Sequence, residues 1–293
     1  METIIDEFCD YRREKKQISE NTLLAYRSDL QRLVSYMREN KIASFDQVTE
    51  TQLNSFILLM ERKGLKASSI VRLISSIRTF FDYLAKRGYV QDDPAERLKA
   101  PRAEQAEQEI ISVEELERLF EMPDLSRPKG LRDRAMLEVL YATGIRLNTL
   151  LKLTMPQLQL QYRILLVKEQ GEERVLPLGK PACEALEAYL ANARPVLARA
   201  GSDPLLVFYN KAGEEMTRQG FFKRITTYAE KAELPNITPR VLRNSMITHL
   251  MNNGASYAGV HQLLGTKRLS AALNYHRQTQ SIPELYKQSH PRA

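Results

Sequence analysis

The apolar periodicity of this chain stops between Pro94 and Glu109. Pro94 is followed by Lys99, Pro101 and Arg102 and then by the polar run 104–109, across which neither a helical ladder nor a strand alternation continues. A single hydrophobic core cannot run through such a break. The sequence therefore predicts a helical domain over residues 1–98, a linker over 99–109 and a second domain over 110–293. Domains typically hold about 100–200 residues, so a length of 293 accommodates two. Hydrophobic residues make up 43% of the chain, enough for two cores, which excludes a disordered, collagen-like or disulfide-stapled polypeptide.

Before the break the pattern is helical. Ser19 precedes Leu23, Tyr26, Leu30, Leu33, Val34 and Met37, a ladder of three- and four-residue steps that makes one apolar helix face. A second ladder runs Ile70, Leu73, Ile74, Ile77, Phe80, Phe81 and Leu84, with Ser68 as the expected N-cap and Gly88 as the stop. Helices near 4–15 and 51–63 complete a four-helix module. After the break, Ser112 and Glu115 form a capping box ahead of Leu116 and Leu119, and a helix over 132–143 ends at Gly144. Residues 163–167 and 174–178 flank a glycine-containing turn and read as a β-hairpin. Helical patterns return over 183–197, 219–232, 239–252, 258–264 and 270–278. The second domain is thus mostly helical around a small sheet.

The 43 Lys and Arg exceed the 36 Asp and Glu by seven, and the excess is clustered. Residues 61–87 hold seven cations (Arg62, Lys63, Lys66, Arg72, Arg78, Lys86 and Arg87) against Glu61 and Asp82. The chain from Arg240 onward holds seven more against Glu284 alone. Two basic patches in different halves suit a polyanion gripped from two sides, or simply two solvated faces. Cys9 and Cys183 stand in different domains, and the histidines at 249, 261, 276 and 290 follow no zinc spacing, so neither a disulfide framework nor a protein-held metal is expected. No Walker A or GxGxxG segment occurs, and no cofactor is expected. Without a basic leader followed by an apolar core, or a run of about 18 apolar residues, the sequence reads as cytoplasmic, with no membrane partner.

Four blocks carry a more specific pattern: Ala142-Thr-Gly-Ile-Arg146; the hairpin end Glu173-Arg-Val-Leu-Pro-Leu178; Thr238-Pro-Arg-Val-Leu-Arg243-Asn-Ser; and Leu263-Leu-Gly-Thr266, followed nine residues later by Tyr275. In order and spacing they resemble the tyrosine recombinases of the phage integrase family, closest to the compact Xer type. The segment Ile18-Ser-Glu-Asn-Thr-Leu-Leu-Ala-Tyr-Arg27 and the 69–84 helix resemble the family's core-binding domain, so the likeness covers nearly the whole chain. The resemblance implies a mainly α protein, with a four-helix SAM-like core-binding domain and a mixed α+β catalytic domain carrying a small antiparallel sheet. The two domains of relatives clamp double-stranded DNA. Relatives form tetramers on two sites, in which the C-terminal segment, here 282–288, docks on a neighbour.

In that family a tyrosine oxygen attacks a phosphodiester, forms a 3′-phosphotyrosine and expels a 5′-hydroxyl. Charge concentrates on the nonbridging oxygens, which two arginines clamp with planar bidentate donors. Arg146 and Arg243 match those positions, and Tyr275 matches the nucleophile. The leaving oxygen needs an acid, and a phenol of pKa about 10 needs a hydrogen-bonding partner or base. This sequence departs from the family there. Arg240 and Asn244 replace two histidines of the usual box, Thr266 replaces a His or Trp, and Thr149 stands where an acidic residue commonly follows the first arginine. Counting back without a gap from Glu173 puts Glu169 at the hairpin-lysine position, with Lys168 beside it. A one-residue shift on a strand reverses the facing side, so Lys168 serves as the acid only if the turn is shortened or bulged. Two readings follow. In the first, Arg146, Arg240, Arg243 and Tyr275 suffice for strand exchange, with Lys168 or water as proton donor. In the second, the chain is a non-cleaving homologue that occupies sites or regulates an active partner recombinase. A more distant third reading is nicking and relaxing of the topoisomerase kind. Arg72 and Arg78, off the apolar stripe of their helix, and Lys66 are the expected phosphate contacts of the first domain.

Overall fold

The computed structural model describes residues 1–16, 18–100, 110–169, 171–234, 237–265 and 282–293. The chain divides into two compact units, 1–106 and 107–293.

The first unit is built from α1 (Glu2–Lys16), α2 (Glu20–Glu39), α3 (Glu50–Arg62) and α4 (Ala67–Arg87). Ser19 begins α2 as its sequence position predicts, its hydroxyl accepting from the Thr22 N–H. Thr49 and Gln52 cap α3 reciprocally. The start of α4 differs from expectation: Lys66, not Ser68, is the N-cap. Its extended backbone already lets its carbonyl accept from Ser69 and Ile70, so the helix begins before Ser68 is reached. Gly88 ends α4 at φ 75°, a left-handed conformation that favours glycine. The apolar faces meet in an aromatic core where Phe8, Phe45 and Phe81 pack edge-on against or near Phe80.

The second unit opens with α5 (Val113–Glu121), capped reciprocally by Ser112 and Glu115, and α6 (Pro128–Thr143). α6 starts four residues before the predicted 132, because Pro128 supplies the fixed φ and missing N–H that suit a first helical position. It is buried nearly all round and forms the centre of this unit's core. Gly144 ends it at φ 59°, and α7 (Leu147–Leu151) follows directly. An antiparallel sheet in the order β1 (Leu158–Gln159), β2 (Ile164–Glu169), β3 (Glu172–Pro177) comes next. The β2–β3 register is unbroken from Ile164 opposite Pro177 to Glu169 opposite Glu172, so the strands run further toward the turn than predicted. The predicted helix 183–197 is two, α8 (Lys180–Asn192) and α9 (Arg194–Leu197), with Pro195 at the start of the second. Then come α10 (Arg218–Lys231), α11 (Pro239–Asn252), α12 (Tyr257–Leu264) and α13 (Ile282–Ser289). The predicted helix over 270–278 lies outside the described residues.

The C-terminal segment packs on its own unit. Tyr286 and His290 are buried and stack on each other, the Gly179 N–H donates to the Tyr286 hydroxyl, and Arg292 pairs with Glu138 and Glu117. Among the described residues no helix is long and apolar enough to cross a membrane.

Candidate active site

Arg146 leaves the end of α6 two residues after Gly144. It is the N-cap of α7, with an extended backbone, and its side chain is 40% exposed. The turn at Gly144 requires glycine twice over: φ is positive, and a Cβ there would fall 2.1 Å from Met246 Cε and 3.2 Å from Leu264 Cδ2. That close approach brings α6, α11 and α12 together. Arg243, on α11, donates from Nη1 to the Gly144 carbonyl. Burial first, and then the positive charge of Arg146, push the Arg243 guanidinium down to about 10, with Glu169 opposing. The two arginines expected from separate blocks, 97 positions apart, therefore feel one another in one site.

Glu169 is the hub of this site. Its neighbours on the inward face of β2 are Leu165 and Val167, both buried, and Glu169 itself is 7% exposed. Its carboxylate accepts from the Arg146 backbone N–H at 3.1 Å, Arg146 Nη1 at 2.7 Å, Thr149 Oγ1 at 2.5 Å and Arg174 Nη2 at 2.5 Å. Burial alone would push this carboxyl up. The Thr149 hydroxyl, the Arg146 amide and the two guanidiniums outweigh it and hold the group below the ordinary glutamate value. Arg174, which projects from β3 and is 9% exposed in its side chain, also donates to the Leu263 carbonyl at the end of α12.

Residues 109–281 match the phage integrase family, and residues 5–88 match the phage integrase N-terminal SAM-like domain. The chain belongs to the phage integrase family. It is 38% identical to the tyrosine recombinase XerD of Listeria innocua serovar 6a, with the whole of both chains covered. It is 36% identical to the tyrosine recombinase XerC of Herpetosiphon aurantiacus, over 94% of this chain and 90% of that one. Among solved structures, the Tn1549 transposon integrase in complex with circular intermediate DNA has a similar fold, at a TM-score of 0.72, 19% identity and coverage of 94% of this chain and 96% of that one. The chain is thus a Xer-like tyrosine recombinase, mainly helical, with a SAM-like first unit and a small antiparallel sheet in the second.

Within this recombinase the expected site residues are placed unequally. Arg146 and Arg243 are brought together. Arg240 sits exposed in the first turn of α11, three residues before Arg243. Lys168 is not brought to the site. With the β2–β3 register unbroken from Ile164 to Glu169, strand alternation turns it to the face opposite Glu169, where it is exposed and pairs with Glu173 at 3.3 Å. Tyr275 and Thr266 lie outside the described residues. In the first unit Lys66, the N-cap of α4, and Arg78, on α4, are exposed, Arg78 with a 3.5 Å bond to the Glu96 carbonyl. Arg72 is half-exposed but held at 2.7 Å by the fully buried Asp29, which also accepts from Ser76. Sequence reasoning missed the roles of Thr149 and Arg174, and noted Glu169 only as a replaced lysine. Strand alternation from Leu165 and Val167 was the available signal that Glu169 faces inward.

Proposed function

We propose that this recombinase carries out site-specific DNA recombination by cutting and rejoining strands through a 3′-phosphotyrosine at Tyr275. Arg146 and Arg243 clamp the nonbridging oxygens of the scissile phosphate, and Arg240 adds a third positive charge from the first turn of α11. The phenolic oxygen of Tyr275 forms a bond to phosphorus as the bond to the 5′-oxygen breaks. The phenol proton leaves to solvent, and the leaving oxygen takes a proton from water, since Lys168 points away from the arginines. Rejoining reverses each step with a different 5′-hydroxyl, so no external energy source is required. Lys66, Arg72 and Arg78 contact DNA backbone phosphates from the first unit. The working assembly is a tetramer on two duplex sites, alone or with a second recombinase, in the cytoplasm.

The observation that carries this reading is the meeting of Arg146 and Arg243 around Gly144. Arg243 donates to the Gly144 carbonyl two residues before Arg146, whose side chain is 40% exposed, and such a pair of planar guanidinium donors suits the nonbridging oxygens of a phosphate. The test is a nicked duplex bearing a site selected from random sequence for binding to the full chain, incubated without metal and run on a denaturing gel. A covalent protein–DNA adduct that disappears in Tyr275→Phe supports strand cleavage. Tight, selective binding without adduct overturns it in favour of a non-cleaving binder.

A further inference from the structure

Glu169 fills a place whose donors suit a phosphate. Two guanidiniums, a hydroxyl and a backbone amide converge on its two oxygens, the donor set that recognises nonbridging phosphate oxygens elsewhere. The set is not exhausted by the carboxylate: Arg174 Nε is buried without a hydrogen-bond partner among the described residues. Access is from the Arg146 side, where that side chain is 40% exposed; Glu169 and Arg174 lie beneath it, buried at 5% and 9%. A residue serving only to pack β2 at this position would be apolar like Leu165 and Val167, since burying a carboxylate carries a large desolvation cost.

We propose that Arg146, Thr149 and Arg174 form an anion seat for a DNA phosphate and that Glu169 is its resident occupant, displaced when the phosphate arrives. One monoanion replaces another, so the arginines are compensated before and after DNA binding. Thr149 and Arg174 become phosphate-contacting residues, and Glu169 becomes a positioning residue that keeps the seat closed to weak anions. The identification of that phosphate as the scissile one rests on the recombinase reading; the seat itself does not.

Inorganic phosphate is the probe that separates the two. Titrated into the full chain and followed by calorimetry, it binds Glu169→Gln about tenfold more tightly than wild type, as expected for removing one charge-assisted competitor. The gain is lost when Arg146→Gln is added. On the nicked duplex, Glu169→Gln forms adduct faster by a similar factor. Equal phosphate affinity in folded wild type and Glu169→Gln overturns the seat, and does so even where wild type forms adduct and the recombinase reading stands. A gain in phosphate affinity with no adduct from either protein keeps the seat and overturns the recombinase reading instead. Should Glu169→Gln not fold, Glu169→Asp retains the charge and withdraws it by one methylene. Phosphate affinity intermediate in strength supports the seat, and affinity equal to wild type overturns it.

Discussion

At the scale of single residues, the difference between a guanidinium and an ammonium decides how the site works. Arg243 spends one N–H on the Gly144 carbonyl and retains others in a planar fork, whereas a lysine offers a point charge. Arg243→Lys is expected to reduce adduct formation by about 10²–10³-fold, the usual effect of losing one transition-state donor. Affinity for intact duplex, measured by anisotropy, should change far less. Gly144→Ala tests the scaffold beneath it. The positive φ and the contact with Met246 Cε together should destabilise the second unit by about 1–3 kcal/mol in urea, and a stability equal to wild type would show that the turn tolerates a side chain. The pairing of Arg146 with Arg243 was legible in the sequence because Thr-Gly-Ile-Arg146 and Leu-Arg243 are local patterns. Glu169 as hub was not, since its four donors come from α7, β3 and the residue before α7, and no spacing in the chain encodes their meeting.

At the scale of elements, local chemistry made most boundaries readable. Ser19 and the Ser112–Glu115 pair each start a helix and Gly88 and Gly144 each end one, by satisfying or redirecting a backbone group within four residues, so a short window suffices. Expectation slipped where the local signal was weak or duplicated. Two serines followed Lys66, yet the helix was nucleated without a side-chain cap, and the β-hairpin closed tighter than its glycine alone implied. α4 carries the expected DNA face of the first unit, and its side chains differ in how they are held. Arg72 is pinned by buried Asp29, while Arg78 makes a long bond to the Glu96 carbonyl. Each neutralised phosphate contributes about −0.9 to the slope of log K against log salt. Arg78→Ala should therefore flatten that slope by roughly one such increment; an unchanged slope would remove Arg78 from the DNA contacts. Asp29→Asn is expected to cost the first unit about 1–2 kcal/mol in a urea melt, discounted because Arg72 is partly in water.

At the scale of the whole chain, the second unit closes on its own C-terminal segment, and this closure makes its stability depend on pH. His290 is 5% exposed, its Nδ1 accepts the Arg292 N–H, and burial lowers its pKa to about 4. Burial also lowers His249, whose ring meets the Tyr141 hydroxyl. A histidine with a folded pKa below its unfolded value of about 6.5 is neutral in both states at higher pH and costs nothing there. As pH falls from about 6.5 toward 4, the unfolded chain takes up a proton that the folded chain refuses. Stability is then lost at up to about 1.4 kcal/mol per pH unit for His290. Glu138 acts in the opposite sense: burial raises its pKa despite Arg292 and Arg134, so protonation on acidification relieves rather than adds cost. A wild-type pH profile mixes these contributions, and the difference between wild type and His290→Gln isolates one of them. The variant is expected to lose less stability than wild type between pH 6.5 and 4.5 in urea melts followed on the second unit, and to show the same dependence above pH 7. Parallel profiles across the whole range would mean that the tail detaches before His290 titrates, and that its burial does not govern the acid limit of the fold.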